Sequence, residues 1–191
     1  MILTGSKARR FWQFRAATDE PSVGELLIYG PVADSTWWGD EITPKQFAED
    51  LKALGDIQEL RVFINSPGGD VFAGQTIHSI LKRHPATVTV YVDGLAASSA
   101  SLIAVAGDQV IMPRNAMLMI HNPWTFAVGN AADFRKLAND LDKISESMVA
   151  AYEQKSGLSP EEIRAIMDAE TWLTAEEAVD KGFADQLEET K

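Results

Sequence analysis

The chain turns on the stretch Gly94-Leu95-Ala96-Ala97-Ser98-Ser99-Ala100-Ser101-Leu102-Ile103-Ala104-Val105-Ala106-Gly107, with Met117-Leu118-Met119-Ile120-His121-Asn122-Pro123 shortly after it. Ahead of it, Thr87–Val92 is rich in β-branched residues and reads as a strand. Small residues then surround Ser98, where a short helix begins. That helix runs to about Ala106 and closes at Gly107. Val110–Met112 and Met117–Ile120 read as two further short strands, and His121 ends the second.

The same alternation continues outward. Glu25–Tyr29 reads as a strand. Thr43 reads as an N-cap, with Pro44 in the first turn and Gln46 closing a capping box, on a helix to about Leu54 that Gly55 ends. Leu60–Ile64 is a strand broken sharply by Asn65-Ser66-Pro67-Gly68-Gly69. Val71 to about Arg83 has helical spacing and stops before Pro85. Strand and helix in alternation predict an α/β fold of βαβ units around a mainly parallel sheet. Active sites of such folds form beyond the carboxyl ends of strands. The Gly68-Gly69 turn and Ser98 both fall there.

Ala131–Ser156 has a different character. Phe134, Leu137, Leu141, Ile144, Met148 and Tyr152 recur at steps of three and four, one apolar stripe on a long helix. The stripe packs either within the chain or against a neighbouring subunit. Ser159-Pro160-Glu161-Glu162 and Thr174-Ala175-Glu176-Glu177 are capping boxes of two later helices, and Gly182 ends the last.

Bulk properties narrow the function. A chain of 191 residues with 46% hydrophobic content suits one domain. The net charge of −11 argues against a nucleic-acid partner, because phosphate binding needs a basic face. With no cysteine, disulfides, thiolate chemistry and cysteine-based metal sites are excluded. No run is long enough to span a bilayer. Phe11-Trp12-Gln13-Phe14-Arg15 is too short for a signal h-region, so the expected location is the cytoplasm. Met1–Asp19 suggests no role, and Trp37-Trp38 either lines a groove or packs.

A serine hydroxyl becomes a useful nucleophile when a base takes its proton. Small neighbours let a carbonyl approach, and a helix start offers free N–H groups to an oxyanion. Ser98, Ser99 and Ser101 compete for that role in one segment, and Ser66 lies in the other turn; each could instead be a cap. His121 would be the general base. His78 lies mid-helix and His84 at a helix end. Gly68-Gly69 suits outward-facing backbone N–H groups or a plain tight turn. A phosphate loop lacks its Gly-x-x-x-x-Gly-Lys-Ser/Thr pattern. Asp168 and Glu170 are the candidate acids to hold the histidine, each otherwise a surface carboxylate.

Asn65-Ser66-Pro67-Gly68-Gly69, Ala96-Ala97-Ser98, Met119-Ile120-His121-Asn122-Pro123 and Trp172-Leu173-Thr174-Ala175-Glu176-Glu177-Ala178-Val179, with Gly182 and Asp185, resemble the Clp-type serine peptidases. Order and spacing match from about Ile28 to Leu187. Asp70-Val71-Phe72-Ala73-Gly74, Asp93-Gly94-Leu95 and Glu170-Thr171-Trp172 look most like the Clp-related head-maturation proteases of tailed phages and prophages. The resemblance implies a single-domain fold of repeated ββα and βαβ units, related to the crotonases, over residues 20–187. A protruding handle helix falls within about 125–156, and 188–191 form a tail. It implies Ser98 as nucleophile, His121 as base and the backbone N–H groups of Gly68 and Ser99 as oxyanion donors, with no metal or cofactor. It implies a homo-oligomeric ring, a polypeptide substrate such as phage scaffold or capsid protein, and no membrane partner. Any ATP-driven unfoldase would be a separate protein.

Two departures from the family pattern stand out. Glu170 occupies the slot where an aspartate is usual, with Asp168 as rival. Thr125-Phe126-Ala127-Val128-Gly129 replaces a more glycine-rich stretch. A crotonase-like acyl-CoA enzyme, or a ring-forming subunit with an unused site, are the competing expectations.

Overall fold

A computed structural model describes residues 10–18, 20–33 and 44–189. Among them the strands are β1 (Trp12–Ala16), β2 (Val23–Tyr29), β3 (Glu59–Ser66), β4 (Thr87–Ala97), β5 (Gln109–Met112), β6 (Met117–Ile120), β7 (Thr171–Thr174) and β8 (Gln186–Leu187). The helices are α1 (Pro44–Lys52), α2 (Val71–Lys82), α3 (Ser99–Ala104), α4 (Ala131–Ser156), α5 (Pro160–Asp168) and α6 (Ala175–Asp180). The strands form one sheet in the order β1-β2-β3-β4-β5-β8, with β6 added to β4 and β7 to β6. Pairing is parallel throughout except for β1 with β2 and β6 with β7. The expected α/β architecture is therefore present.

The sequence explains which face is covered. Leu60, Val62 and Ile64 of β3 and Val88, Val90 and Val92 of β4 alternate into the core. Their neighbours Arg61, Phe63 and Tyr91 stay partly exposed on the other face. α2 buries Ala73, Gly74, Ile77 and Leu81, spaced as one helical face, against this layer. α3 is buried on every side, which its small and apolar residues permit. Each large aliphatic side chain so buried contributes roughly 1.5–3 kcal/mol. The strand ends are thereby held by a rigid layer.

Three features go beyond the expected elements. β4 does not stop at Val92 but continues to Ala97. It changes partner on the way, pairing β5 over Thr89–Tyr91 and β6 over Leu95–Ala97. The β3–β4 register also shifts between Ile64 and Ser66. Asp93-Gly94 marks this irregularity rather than a strand end. β1, in the segment given no role, adds an antiparallel edge, where Trp12 meets Phe47 of α1 edge-on at 5.5 Å. β7 is too short to announce itself. Thr43 and Trp37-Trp38 lie outside the described residues.

α4 spans the expected Ala131–Ser156. Asn130 and Asp133 form a reciprocal capping box, and Gly157 at φ 72° ends the helix. Its apolar stripe divides. Met148 and Tyr152 are buried in the core, Leu137, Leu141 and Ile144 are half-buried, and Phe134 is exposed. Among the described residues no helix is long and apolar enough to cross a membrane.

Candidate active site

Two strand-to-helix junctions lie side by side at the carboxyl end of the sheet. At the first, from β3 to α2, Gly68 (φ 85°) and Gly69 (φ 152°) turn the chain. A Cβ on Gly69 would sit 1.9 Å from the Val32 carbonyl oxygen, so only glycine fits. Asp70 caps α2, its Oδ1 accepting from the Ala73 N–H at 2.7 Å. Ser66 Oγ donates to the Gly30 carbonyl at 2.6 Å and accepts from the Gly68 N–H at 3.1 Å. That serine is locked as a turn brace and drops out as a nucleophile.

At the second junction, from β4 to α3, Ser98 has φ 53° and ψ −128°. This backbone region strains any residue with a Cβ. The helix starts at Ser99, so Ser98 precedes it, and the Ser98 hydroxyl makes no capping bond. Instead Ser98 Oγ lies 2.8 Å from His121 Nε2. Ser99 is buried, and its Oγ has no partner among the described residues. Ser101 Oγ turns inward to the Ser98 carbonyl at 2.6 Å.

His121 and Glu170 are brought together by strand pairing. In the antiparallel β6–β7 ladder Ile120 faces Thr171 and Met119 faces Trp172. One step further along that register, His121 faces Glu170. His121 Nδ1 stands 3.4 Å from Glu170 Oε2. An ionised carboxylate only accepts, so it favours the tautomer with the proton on Nδ1 and leaves the Nε2 lone pair for the serine hydroxyl. Glu170 has φ 47°, so Ser98 and Glu170 are the two non-glycine residues with positive φ among those described. The rival Asp168 goes elsewhere. It accepts from Asn122 Nδ2 at 2.6 Å, and Asn122 Oδ1 accepts from Ser145 of α4 at 2.8 Å. This brace fixes the residue after His121.

Gly68 packs against the serine junction: a Cβ on it would lie 2.7 Å from Ser98 Cβ and 2.9 Å from Ser99 N. Its N–H, expected to face an oxyanion, is already engaged by Ser66. The Gly69 and Ser99 N–H groups make no hydrogen bond among the described residues. The other histidines are remote from this chemistry. His78 Nδ1 donates to the Leu102 carbonyl at 2.8 Å, and burial holds that ring below the ordinary histidine value. His84 Nδ1 accepts from the Ala86 N–H at 3.2 Å.

A cleft of about 650 Å³ opens over Ser98, Gly69 and His121. Its far wall is apolar and includes Leu137, Leu141 and Ile144 of α4. The stripe read as core or interface thus walls the cleft in its middle. Among the described residues no cluster of His, Asp or Glu is placed to hold a metal ion. Sequence reasoning missed Tyr152 as a polar residue and Asn122 as a brace, because both partners are distant in the chain.

Residues 40–191 match the Clp protease family. The chain is 32% identical over 154 residues to an ATP-dependent Clp protease proteolytic subunit of Bacteroides fragilis, covering 78% of this chain and 74% of that protein. It is 28% identical over 180 residues to proteolytic subunit 1 of Leifsonia xyli subsp. xyli, covering 90% and 89%. It is 31% identical over 140 residues to proteolytic subunit 2 of Mycolicibacterium paratuberculosis, covering 72% and 70%.

Proposed function

Because this chain belongs to the Clp protease family, we propose that it is a serine endopeptidase with Ser98 as nucleophile, His121 as base and Glu170 as the orienting acid. The observation that carries this reading is the unbroken line from Ser98 Oγ through both ring nitrogens of His121 to Glu170. A crotonase-like reading leaves that line without a task.

The chemistry follows from the line. His121 Nε2 takes the Ser98 hydroxyl proton as Oγ bonds to the scissile carbonyl carbon. Glu170 holds the imidazole and stabilises the imidazolium. The carbonyl oxygen becomes an oxyanion, met by the Ser99 N–H and by the glycine turn. Within that turn the Gly69 N–H, which makes no internal bond, takes the part expected of Gly68. His121 then gives its proton to the departing amine, leaving an ester on Ser98. Water attacks the ester with His121 again as base, releasing the acid and restoring the hydroxyl.

The biological setting is a further part of the proposal. The substrate is polypeptide, with phage scaffold or capsid protein as the specific candidate from the sequence motifs. The protein works as a homo-oligomeric ring in the cytoplasm, partly through α4. Its relatives carry names that call them ATP-dependent. This chain has no phosphate-binding loop, so an ATP-driven unfoldase would be a separate protein. The test is labelling by an activated phosphonate together with cleavage of a short fluorogenic peptide. Both should disappear in Ser98→Ala while the fold persists. Full labelling of that variant rejects the assignment.

A further inference from the structure

Resting on that reading of Ser98 and the Ser99 N–H, we infer that Ser101 and Tyr152 are positioning residues, forming a hydroxyl chain that holds and polarises the Ser98–Ser99 peptide unit. Ser101 Oγ lies 2.6 Å from the Ser98 carbonyl oxygen and 2.8 Å from Tyr152 Oη. A carbonyl has no hydrogen, so the single Ser101 hydroxyl proton goes to it. Tyr152 must then donate to Ser101. The direction of the chain is fixed: Tyr152 Oη–H to Ser101 Oγ–H to the Ser98 carbonyl. That carbonyl also accepts the Ser101 N–H at 2.9 Å.

The peptide unit concerned is the one that matters. Its carbonyl belongs to Ser98 and its N–H to Ser99, on opposite ends of one planar group. Hydrogen bonds received by the carbonyl shift the amide resonance toward a stronger N–H donor, and bonds in a chain reinforce each other. The donor offered to the oxyanion is thus tuned from behind. The same bonds also lock orientation. Ser98 sits in a strained conformation. Rotating the 98–99 unit would relax it and turn the N–H out of the cleft. That rotation would have to break both bonds on the Ser98 carbonyl.

Packing alone does not explain these hydroxyls. Ser101 and Tyr152 are both fully buried. Tyr152 meets Phe183 edge-on at 5.9 Å, a contact that phenylalanine would make equally well. Burying a hydroxyl costs free energy unless it is bonded, and here the bonded partner leads to the reactive serine. α4 therefore touches the site twice. Leu141 and Ile144 wall the cleft in front of Ser98, and Tyr152 secures the peptide behind it.

The test uses the full chain in its native assembly, with Tyr152→Phe, Ser101→Ala and the double variant. Peptide cleavage should lose about threefold to tenfold in kcat for Tyr152→Phe, with KM unchanged, and more for Ser101→Ala. A peptide aldehyde, whose serine hemiacetal places the former carbonyl oxygen where the oxyanion would form, should lose affinity by the same factor as kcat/KM. The double variant should lose no more than Ser101→Ala alone, because the hydroxyls act in series. Should Ser101→Ala fail to fold, Tyr152→Phe still decides, since it keeps the ring. Wild-type kcat and aldehyde affinity in Tyr152→Phe would overturn the inference. So would a loss confined to KM, or strictly additive losses. Ser98→Ala separates the two levels: a Ser98→Ala protein that remains active rejects the underlying reading, whatever Tyr152 does.

Discussion

The two junctions at the end of the sheet solve one problem in opposite ways. From β3 to α2 the chain uses Gly68 and Gly69, whose positive φ carries no steric strain. From β4 to α3 it uses Ser98 at φ 53°, and the turn from α5 to β7 likewise uses Glu170 at φ 47°. Glycine would serve both of those positions better as backbone. A side chain is retained where the side chain is needed, and strain of about 1–3 kcal/mol per residue is tolerated there. The glycine junction needs only its backbone, since a Cβ would block it. The difference separates a turn that frames the site from turns that carry the groups proposed to react.

The comparison breaks most visibly at Ser98. Ser98→Gly should cut peptide cleavage by about 10⁴ or more. It should also raise the thermal midpoint, by a few degrees for about 1 kcal/mol of released strain in a chain of this size. Differential scanning calorimetry beside the peptide assay checks both. An unchanged or lower midpoint would remove the strain argument. Glu170→Gln should lose about 10⁴ in rate by analogy with an orienting carboxylate turned to amide. Asp168→Asn, on the Asn122 brace, should lose less than about tenfold. The reverse ranking assigns the acid to Asp168.

Gly68→Ala tests the other junction. Its Cβ would lie 2.5 Å from the Ala97 carbonyl oxygen, in a backbone conformation alanine resists. We expect roughly 2–4 kcal/mol of lost stability, read by urea unfolding, with reduced cleavage. Ser66→Ala removes the brace and should cost about 1–3 kcal/mol, because the Gly68 N–H and Gly30 carbonyl lose their shared partner. The smallest effect lies away from both junctions. His78 is held below the ordinary value, chiefly by burial and further by Lys82. Its neutral form is therefore favoured in the fold. That stability is present above the unfolded value of about 6.5 and is lost as pH falls toward the folded one. The thermal midpoint of His78→Gln should fall less than wild type on acidification across that range.

Legibility from sequence followed the locality of the cause. α4 was readable from the spacing of its apolar stripe, and α5 and α6 because Ser159 and Thr174 act within a turn of the helices they bound. Ser98 and His121 were readable as candidates by type and position. Glu170 gained preference over Asp168 only through its motif, since what brings it to His121 is pairing between strands far apart in the chain. The positive φ of Ser98 left no mark, as serine is not a residue that announces such a turn. Ser66 looked like a rival nucleophile because its locking partner is Gly30. Nothing local distinguishes the engaged Gly68 N–H from that of Gly69.

The β6–β7 ladder is, in effect, a ruler with two-residue gradations. It sets His121 opposite Glu170 by counting from Met117 and Thr174. Slipping one residue would send every side chain of β7 to the other face and bring Ala169 or Thr171 to the histidine. Loss or gain of a single residue between Glu170 and Thr174 therefore changes which residue faces His121, although no acidic residue need be touched. Pro123–Asn130, which measures nothing, can change length without that consequence. Divergence in this protein is thus free to rewrite the rim of its cleft and confined to substitution at its corner.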